Sequence, residues 1–154
     1  MAASENSAPT YFNSSFRHGV DEKRRVAVPA KWRPAQEGVE LTLILWPQAQ
    51  EGTCIRGMLP DQMAALMRKL DELPDTNPSK VPIKRYIGIH SAQVTVDRSG
   101  RICLPEEMAK AAGIKGEAVL GGLLNVFEIW NPERYDKVEA STAIMAQEAF
   151  KMMG

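Results

Sequence analysis

Apolar residues recur along this chain with two periods, and the period in force at each point predicts the element. Val26 and Val28, like Ile102 and Leu104, alternate with small residues, the period-two pattern of a half-buried strand. Residues 41–45, 53–58, 117–120 and 125–130 are apolar enough to form further strands. After Pro60 the period changes: Met63, Leu66, Met67, Leu70 and Leu73 are spaced by three and four, one stripe along a helix. Pro132 opens a second helix with Tyr135, Val138, Met145, Ala149 and Met152 on one face and Thr142 interrupting it. These Met-rich stripes read as core or subunit packing. Pro29 and Pro105 close strands and suit the first helical position, where a missing N–H costs nothing. Residues 105–112 then form a short helix stopped by Gly113.

The order of these elements repeats. Val20-Asp21-Glu22-Lys23-Arg24-Arg25-Val26-Ala27-Val28-Pro29 parallels Val96-Asp97-Arg98-Ser99-Gly100-Arg101-Ile102-Cys103-Leu104-Pro105, with aspartate, arginine, both aliphatic positions and proline recurring 76 residues apart. Trp32 and Met108 follow each proline by three residues. Further on, the stretch from Cys54 to Pro60 parallels that from Val126 to Pro132 with a 72-residue offset, which predicts a longer loop in the first copy around residues 47–52. Each unit reads as strand, tight turn, strand, short helix, two strands and a longer helix. The units span residues 11–73 and 83–154, joined by a Pro- and Asn-rich linker over 74–82 and preceded by a disordered tail over 1–10.

Composition narrows the function. No run approaches the roughly 18–20 apolar residues of a membrane span, and the first ten residues lack the basic and apolar regions of a secretory signal, which predicts a cytoplasmic protein. Cys54 and Cys103 have no metal-site spacing and read as small hydrophobes on strands, so no metal and no cofactor is expected. His18 and His90, the two histidines, stand beside no nucleophile motif, and no phosphate loop or HExxH is present; no catalytic residue and no small-molecule substrate is predicted. Nineteen basic residues cancel nineteen acidic ones, against a protein that coats nucleic acid through bulk charge. The distribution is uneven, however: Arg17, Lys23, Arg24, Arg25, Lys31 and Arg33 face only Asp21 and Glu22 in the same stretch.

The Asp-x-x-x-Arg pattern admits two readings. Residues flanking a three-residue turn lie close, so Asp21 and Asp97 can accept turn N–H groups and staple Arg25 and Arg101 in place. Alternatively, strand parity puts both arginines on the face opposite the buried aliphatic residues, where a guanidinium on a two-stranded ribbon can fork to a guanine edge or a phosphate in the major groove. Both hold if aspartate orients and arginine touches. Lys23, Arg24 and Arg98 then flank as further DNA contacts, Arg24 toward a phosphate.

The doubled Asp-x-x-x-Arg hairpin, each copy followed by aliphatic-x-aliphatic-Pro, resembles the MraZ family, as do Phe12 nine residues before Asp21, the stretch Gly113-Ile114-Lys115-Gly116-Glu117 and the stretch from Asn125 to Trp130. The resemblance runs from about Phe12 to about Asp136. It implies an α+β fold of two tandem AbrB-like swapped-hairpin modules in one pseudo-symmetric β-barrel core with flanking helices. It further implies a nucleoid-associated regulator of the division and cell-wall gene cluster, usually a repressor, that binds upstream direct repeats of double-stranded DNA as a ring-like homo-oligomer. The chain departs from the family at Arg24, where the motif usually has the glycine found at Gly100, and at Ser14. A side chain in a left-handed turn costs about 1–2 kcal/mol, so the first turn is either strained or reshaped. The competing readings are an antitoxin-like interaction module, with the stretch from Val138 to Gly154 as the partner segment, and a nucleoid protein without sequence preference.

Overall fold

The computed structural model describes residues 11–47, 50 and 52–154. The expected disordered tail over 1–10 and part of the longer first-copy loop lie outside the described residues. Eight strands form: β1 Ser15–Gly19, β2 Arg25–Ala27, β3 Glu40–Trp46, β4 Cys54–Met58, β5 Ser91–Thr95, β6 Arg101–Cys103, β7 Glu117–Gly122 and β8 Phe127–Trp130. Four α-helices accompany them: α1 Pro60–Glu72, α2 Lys80–Ile89, α3 Glu106–Ala111 and α4 Pro132–Met153, with one 3-10 turn at Ala30–Trp32. The fold is α+β with antiparallel pairing throughout.

Strand pairing crosses between the repeats. β1 of the first pairs with β7 of the second, β5 of the second pairs with β3 of the first, and β4 pairs with β8, giving one six-stranded sheet in the order β1-β7-β8-β4-β3-β5. Among the described residues β2 and β6 form a separate two-stranded ribbon with each other. Exchanging equivalent strands reproduces the same order read backwards, so the sequence repeat is also a repeat of pairing. The expected closed barrel is not formed by this hydrogen bonding: among the described residues the sheet has edges at β1 and β5. The expected hairpins are likewise confined to their turns. Val20 bridges Val26, and beyond the turn each strand diverges to a partner in the other repeat.

Burial explains the pairing. Val26, Val28, Ile102 and Leu104 are at most 1% exposed and close the main core over Leu41, Leu43, Ile55, Leu120, Phe127 and Ile129 of the large sheet. Phe12, Trp32 and Phe127 meet with ring centroids 5.3–5.6 Å apart inside that core, where aromatic edge-to-face contact adds to area burial. Phe127 requires Gly57, which stands opposite it on β4, because its ring occupies the space where a Cβ would lie. On the other sheet face, Ile44 and Met58 are covered by Met63, Leu66 and Leu70 of α1 and Ile87 of α2. Cys54, Val119 and Trp130 are covered by Tyr135 and Val138 of α4.

Two local expectations need correction. Pro29 and Pro105 are cap residues with extended backbone (ψ 139° and 140°), one position before the first helical residue, because proline fixes φ but leaves ψ free. The linker ends earlier than expected: residues 80–89 form α2, with Pro82 in the first turn where its missing N–H is not needed. Lys80 Nζ donates to Leu73 O at 2.8 Å and to Asp75 Oδ1 at 2.9 Å, capping the end of α1 and bracing the connection. The Met-rich stripe of α4 meets the sheet of this chain through Tyr135 and Val138, while Met145 is 68% and Met152 89% exposed.

One ion pair lies in the middle of the sheet. Arg56 and Glu128, opposite each other on β4 and β8, are joined at 2.9 Å with side chains only 17% and 13% exposed. Trp130 Nε1 donates to Glu128 at 2.9 Å, and the Arg56 guanidinium lies 4.0 Å from the Trp46 ring centroid. Removing one member leaves a buried charge without its partner, so Glu128→Leu should lower unfolding free energy by about 3–5 kcal/mol. The Arg56→Met, Glu128→Leu double substitution should recover most of that loss in urea denaturation, because two apolar side chains leave no charge behind.

Candidate nucleic-acid interface

The ribbon has two faces with opposite chemistry. Cross-strand pairs Arg25–Cys103, Val26–Ile102 and Ala27–Arg101 place Val26 and Ile102 in the core, and the other four side chains on the outer face. The parity inferred from the sequence puts both arginines there, each opposite a small residue, diagonal to one another. Cys103 is exposed on this face, as its shared parity with Arg101 requires; Cys54 is buried and desolvation pushes its thiol well up.

Both turns are built alike. Arg24 N donates to Asp21 O and Asp21 N to Arg25 O; Gly100 N donates to Asp97 O and Asp97 N to Arg101 O. Asp21 Oδ1 accepts the backbone N–H of Lys23 at 2.9 Å and of Arg25 at 2.8 Å, and Asp97 Oδ1 accepts those of Ser99 and Arg101 at 2.8 and 3.0 Å. Each aspartate thus writes its own turn. The fourth motif residue is left-handed in both, Arg24 with φ 62° and Gly100 with φ 81°, so the first turn keeps its shape and holds the strain. Ser14, the other place where the family pattern favours glycine, also has positive φ, 73°.

Side-chain pairing breaks the symmetry. Arg25 Nε donates to Asp21 Oδ2 at 2.8 Å, and Arg101 Nη1, from the other repeat, reaches the same oxygen at 3.3 Å. Among the described residues no arginine side chain donates to Asp97, which accepts the backbone N–H groups alone. Arg101 Nε is buried and has no partner among the described residues, so this guanidinium is the less satisfied of the two. The cross-repeat reach to Asp21 has no signal in sequence spacing, since it depends on the pairing of β2 with β6. Both arginines border a hollow of about 330 Å³ with His18, Val20, Asp21 and Ala27. Lys23 and Arg98, at the turn tips, are exposed. Arg24 lies beside them with its Nε donated to Leu104 O at 3.0 Å. The described residues contain no His/Cys/Asp/Glu cluster that would hold a metal, and none of their helices is long and apolar enough to cross a membrane.

Fold and site together define a two-repeat α+β protein that presents paired arginines on the outer face of a short ribbon. Sequence comparison places it further. The family model described as "MraZ protein, putative antitoxin-like" matches residues 89–152. A protein of Roseiflexus sp. named Transcriptional regulator MraZ is 30% identical over 141 residues, covering 88% of this chain and 94% of its own length. Proteins of the same name from Hyphomonas neptunium (34% identical, 80% of this chain and 74% of the relative) and Rickettsia akari (32% identical, 89% and 92%) are similar over comparable spans. The chain belongs to the MraZ family.

The turn carboxylates carry a pH signature. The Arg25 backbone N–H, opposed by some desolvation and helped by the Arg25 guanidinium, holds Asp21 below its ordinary 3.8, and the Arg101 backbone N–H does the same for Asp97. A carboxylate depressed in the folded state stabilises it above the unfolded value and loses that contribution as pH falls through the folded value. Melting temperature should therefore fall as pH drops through 3.8 and below, and Asp21→Asn or Asp97→Asn should flatten that fall in a series of thermal melts.

Proposed function

We propose that this chain is a sequence-specific, DNA-binding transcriptional regulator that reads duplex DNA with the outer face of the β2–β6 ribbon. The observation that carries this reading is the display of Arg25 and Arg101 on one face of a ribbon whose other face is locked into the core. A two-stranded ribbon fits the major groove, and a guanidinium can make two parallel bonds to a guanine edge. Asp21 serves as orienter, holding Arg25 firmly and Arg101 loosely, and Asp97 shapes the second turn. Lys23 and Arg98 supply flanking phosphate contacts. Arg24 donates its Nε to Leu104 O and is assigned to holding the ribbon instead of to the contact set.

The family resemblance extends the proposal to a cytoplasmic, nucleoid-associated repressor of the division and cell-wall gene cluster, bound to upstream direct repeats. The exchange of strands between residues 11–73 and 83–154 supports two swapped-hairpin modules as its building units. A net charge of +0 favours several hairpins acting together over one acting alone, since linked weak contacts gain by effective concentration. Exposed Ile144, Met145 and Phe150 on α4 support self-association.

Titration of a duplex taken from the region upstream of the coding sequence tests the reading. Arg101→Gln should weaken binding by about 1–3 kcal/mol, the value of a bidentate base contact, and Arg25→Gln by a smaller amount, both with little change in melting temperature. Unchanged affinity with a lowered melting temperature would make the pair a structural staple and remove the proposal.

A further inference from the structure

Two basic side chains near the turns do not behave as free cations. Arg33 Nε donates to Val28 O at 2.8 Å, and Arg24 Nε donates to Leu104 O at 3.0 Å. Val28 and Leu104 are equivalent residues of the two repeats, each one place beyond the end of its ribbon strand and each fully buried. Their backbone N–H groups are also matched: Val28 N donates to Gly100 O at 2.9 Å and Leu104 N to Arg24 O at 2.8 Å. Each end of the ribbon is therefore closed on both its N–H and its C=O, and the C=O is closed by a guanidinium in both cases.

The guanidinium comes from different places. At one end Arg33 reaches over the α-carbon of Gly100, so closely that a Cβ there would run into the guanidinium group. At the other end the residue equivalent to Arg33 is Ala109, which is buried and has nothing to donate, and the residue equivalent to Gly100 is Arg24 itself. The ends thus carry two complementary pairs: arginine at 33 with glycine at 100, and alanine at 109 with arginine at 24. A buried carbonyl without a donor is costly, which explains why a side chain is retained at a left-handed position that favours glycine.

We propose that Arg24 and Arg33 are positioning residues that clamp the two ends of the arginine-bearing ribbon, and that the two guanidinium arrangements are interchangeable. Arg24 precedes Arg25, and Gly100 precedes Arg101, so each clamp fixes the backbone from which a DNA-facing arginine projects. The inference rests on the regulator reading only for its effect on DNA. It assigns the most basic stretch of the chain a task within the fold, in place of a phosphate contact.

A substitution cycle in the full chain tests it. Arg33→Ala removes one clamp, and Gly100→Arg alone brings a second side chain into the space of Arg33; each should melt below the parent. The double substitution rebuilds at that end the arrangement found at Arg24 and should regain most of the loss. A double variant that melts no higher than its weaker single overturns the proposal. Arg24→Ala keeps the left-handed side chain and deletes the clamp. It should lower the melting temperature and weaken binding to the upstream duplex without altering the log-log salt slope. A slope reduced in magnitude by roughly 0.9 would make Arg24 a phosphate contact and refute the clamp. If the parent protein fails to bind the duplex, the regulator reading falls, while the melting cycle still decides the clamp.

Discussion

The pairing of β2 with β6 is the constraint on which the remaining architecture depends. These strands are short, and neither pairs along its length with a strand of its own repeat. Their inner residues close the main core, so the ribbon holds position by burial: Val26, Val28, Ile102 and Leu104 are each worth about 1.5–3 kcal/mol of transfer free energy when fully covered. Because successive residues alternate faces, the same burial forces Arg25 and Arg101 outward. Core and site are two consequences of one register, and a slip of one residue would bury guanidinium groups and expose the aliphatic ones.

Strand exchange makes the two repeats mutually dependent without keeping them identical. Arg56 and Glu128 are equivalent positions of the repeats, and they face each other across the central β4–β8 pair with opposite charge. Two like charges there would repel in a setting where solvent screens little, and the opposite charges that the two copies carry attract instead. The turns diverged differently. Both retain a carboxylate that accepts two backbone N–H groups, yet both arginine side chains converge on Asp21. The helices differ most, since α1 packs on the sheet through Met63, Leu66 and Leu70 in one cluster with Ile87 of α2, whereas α4 docks by its first turns and leaves Ile144 and Phe150 exposed.

The elements legible in the sequence are those whose signal is local. Alternating aliphatic residues in β2 and β6, the three-four stripe after Pro60 and the proline-marked helix starts each follow from a few neighbouring positions, and the repeat aligned them with one another. The left-handed fourth motif residue was also legible, since Gly100 marked the conformation that Arg24 shares. What escaped depends on long-range pairing. Helix α2 escaped because Pro82 and the preceding Pro–Asn stretch resemble a linker, although a proline in a first turn breaks nothing. The open sheet and the second arginine on Asp21 both follow from which repeat each strand pairs with. Arg33 and Arg24 read as free cations because no sequence pattern marks a buried carbonyl in need of a donor.

Internal neutralisation bears on selectivity in the regulator reading. Had Arg25 and Arg101 stood without Asp21, their charge would draw them to any phosphate backbone, which carries no sequence information. With Asp21 accepting from both, an external acceptor must offer more than negative charge, because it competes with a carboxylate already in place. Arg101 is the arginine for which that competition is easiest: its bond to Asp21 is the longer, at 3.3 Å, and its Nε has no partner among the described residues. An acceptor able to satisfy two of its nitrogens at once gains what Asp21 does not give, and a guanine edge has that geometry. Arg25, bonded at 2.8 Å, has less to gain from such an exchange. The two motif copies, alike in sequence, would therefore contribute unequally, with discrimination concentrated on the copy whose arginine is held by the other copy's aspartate.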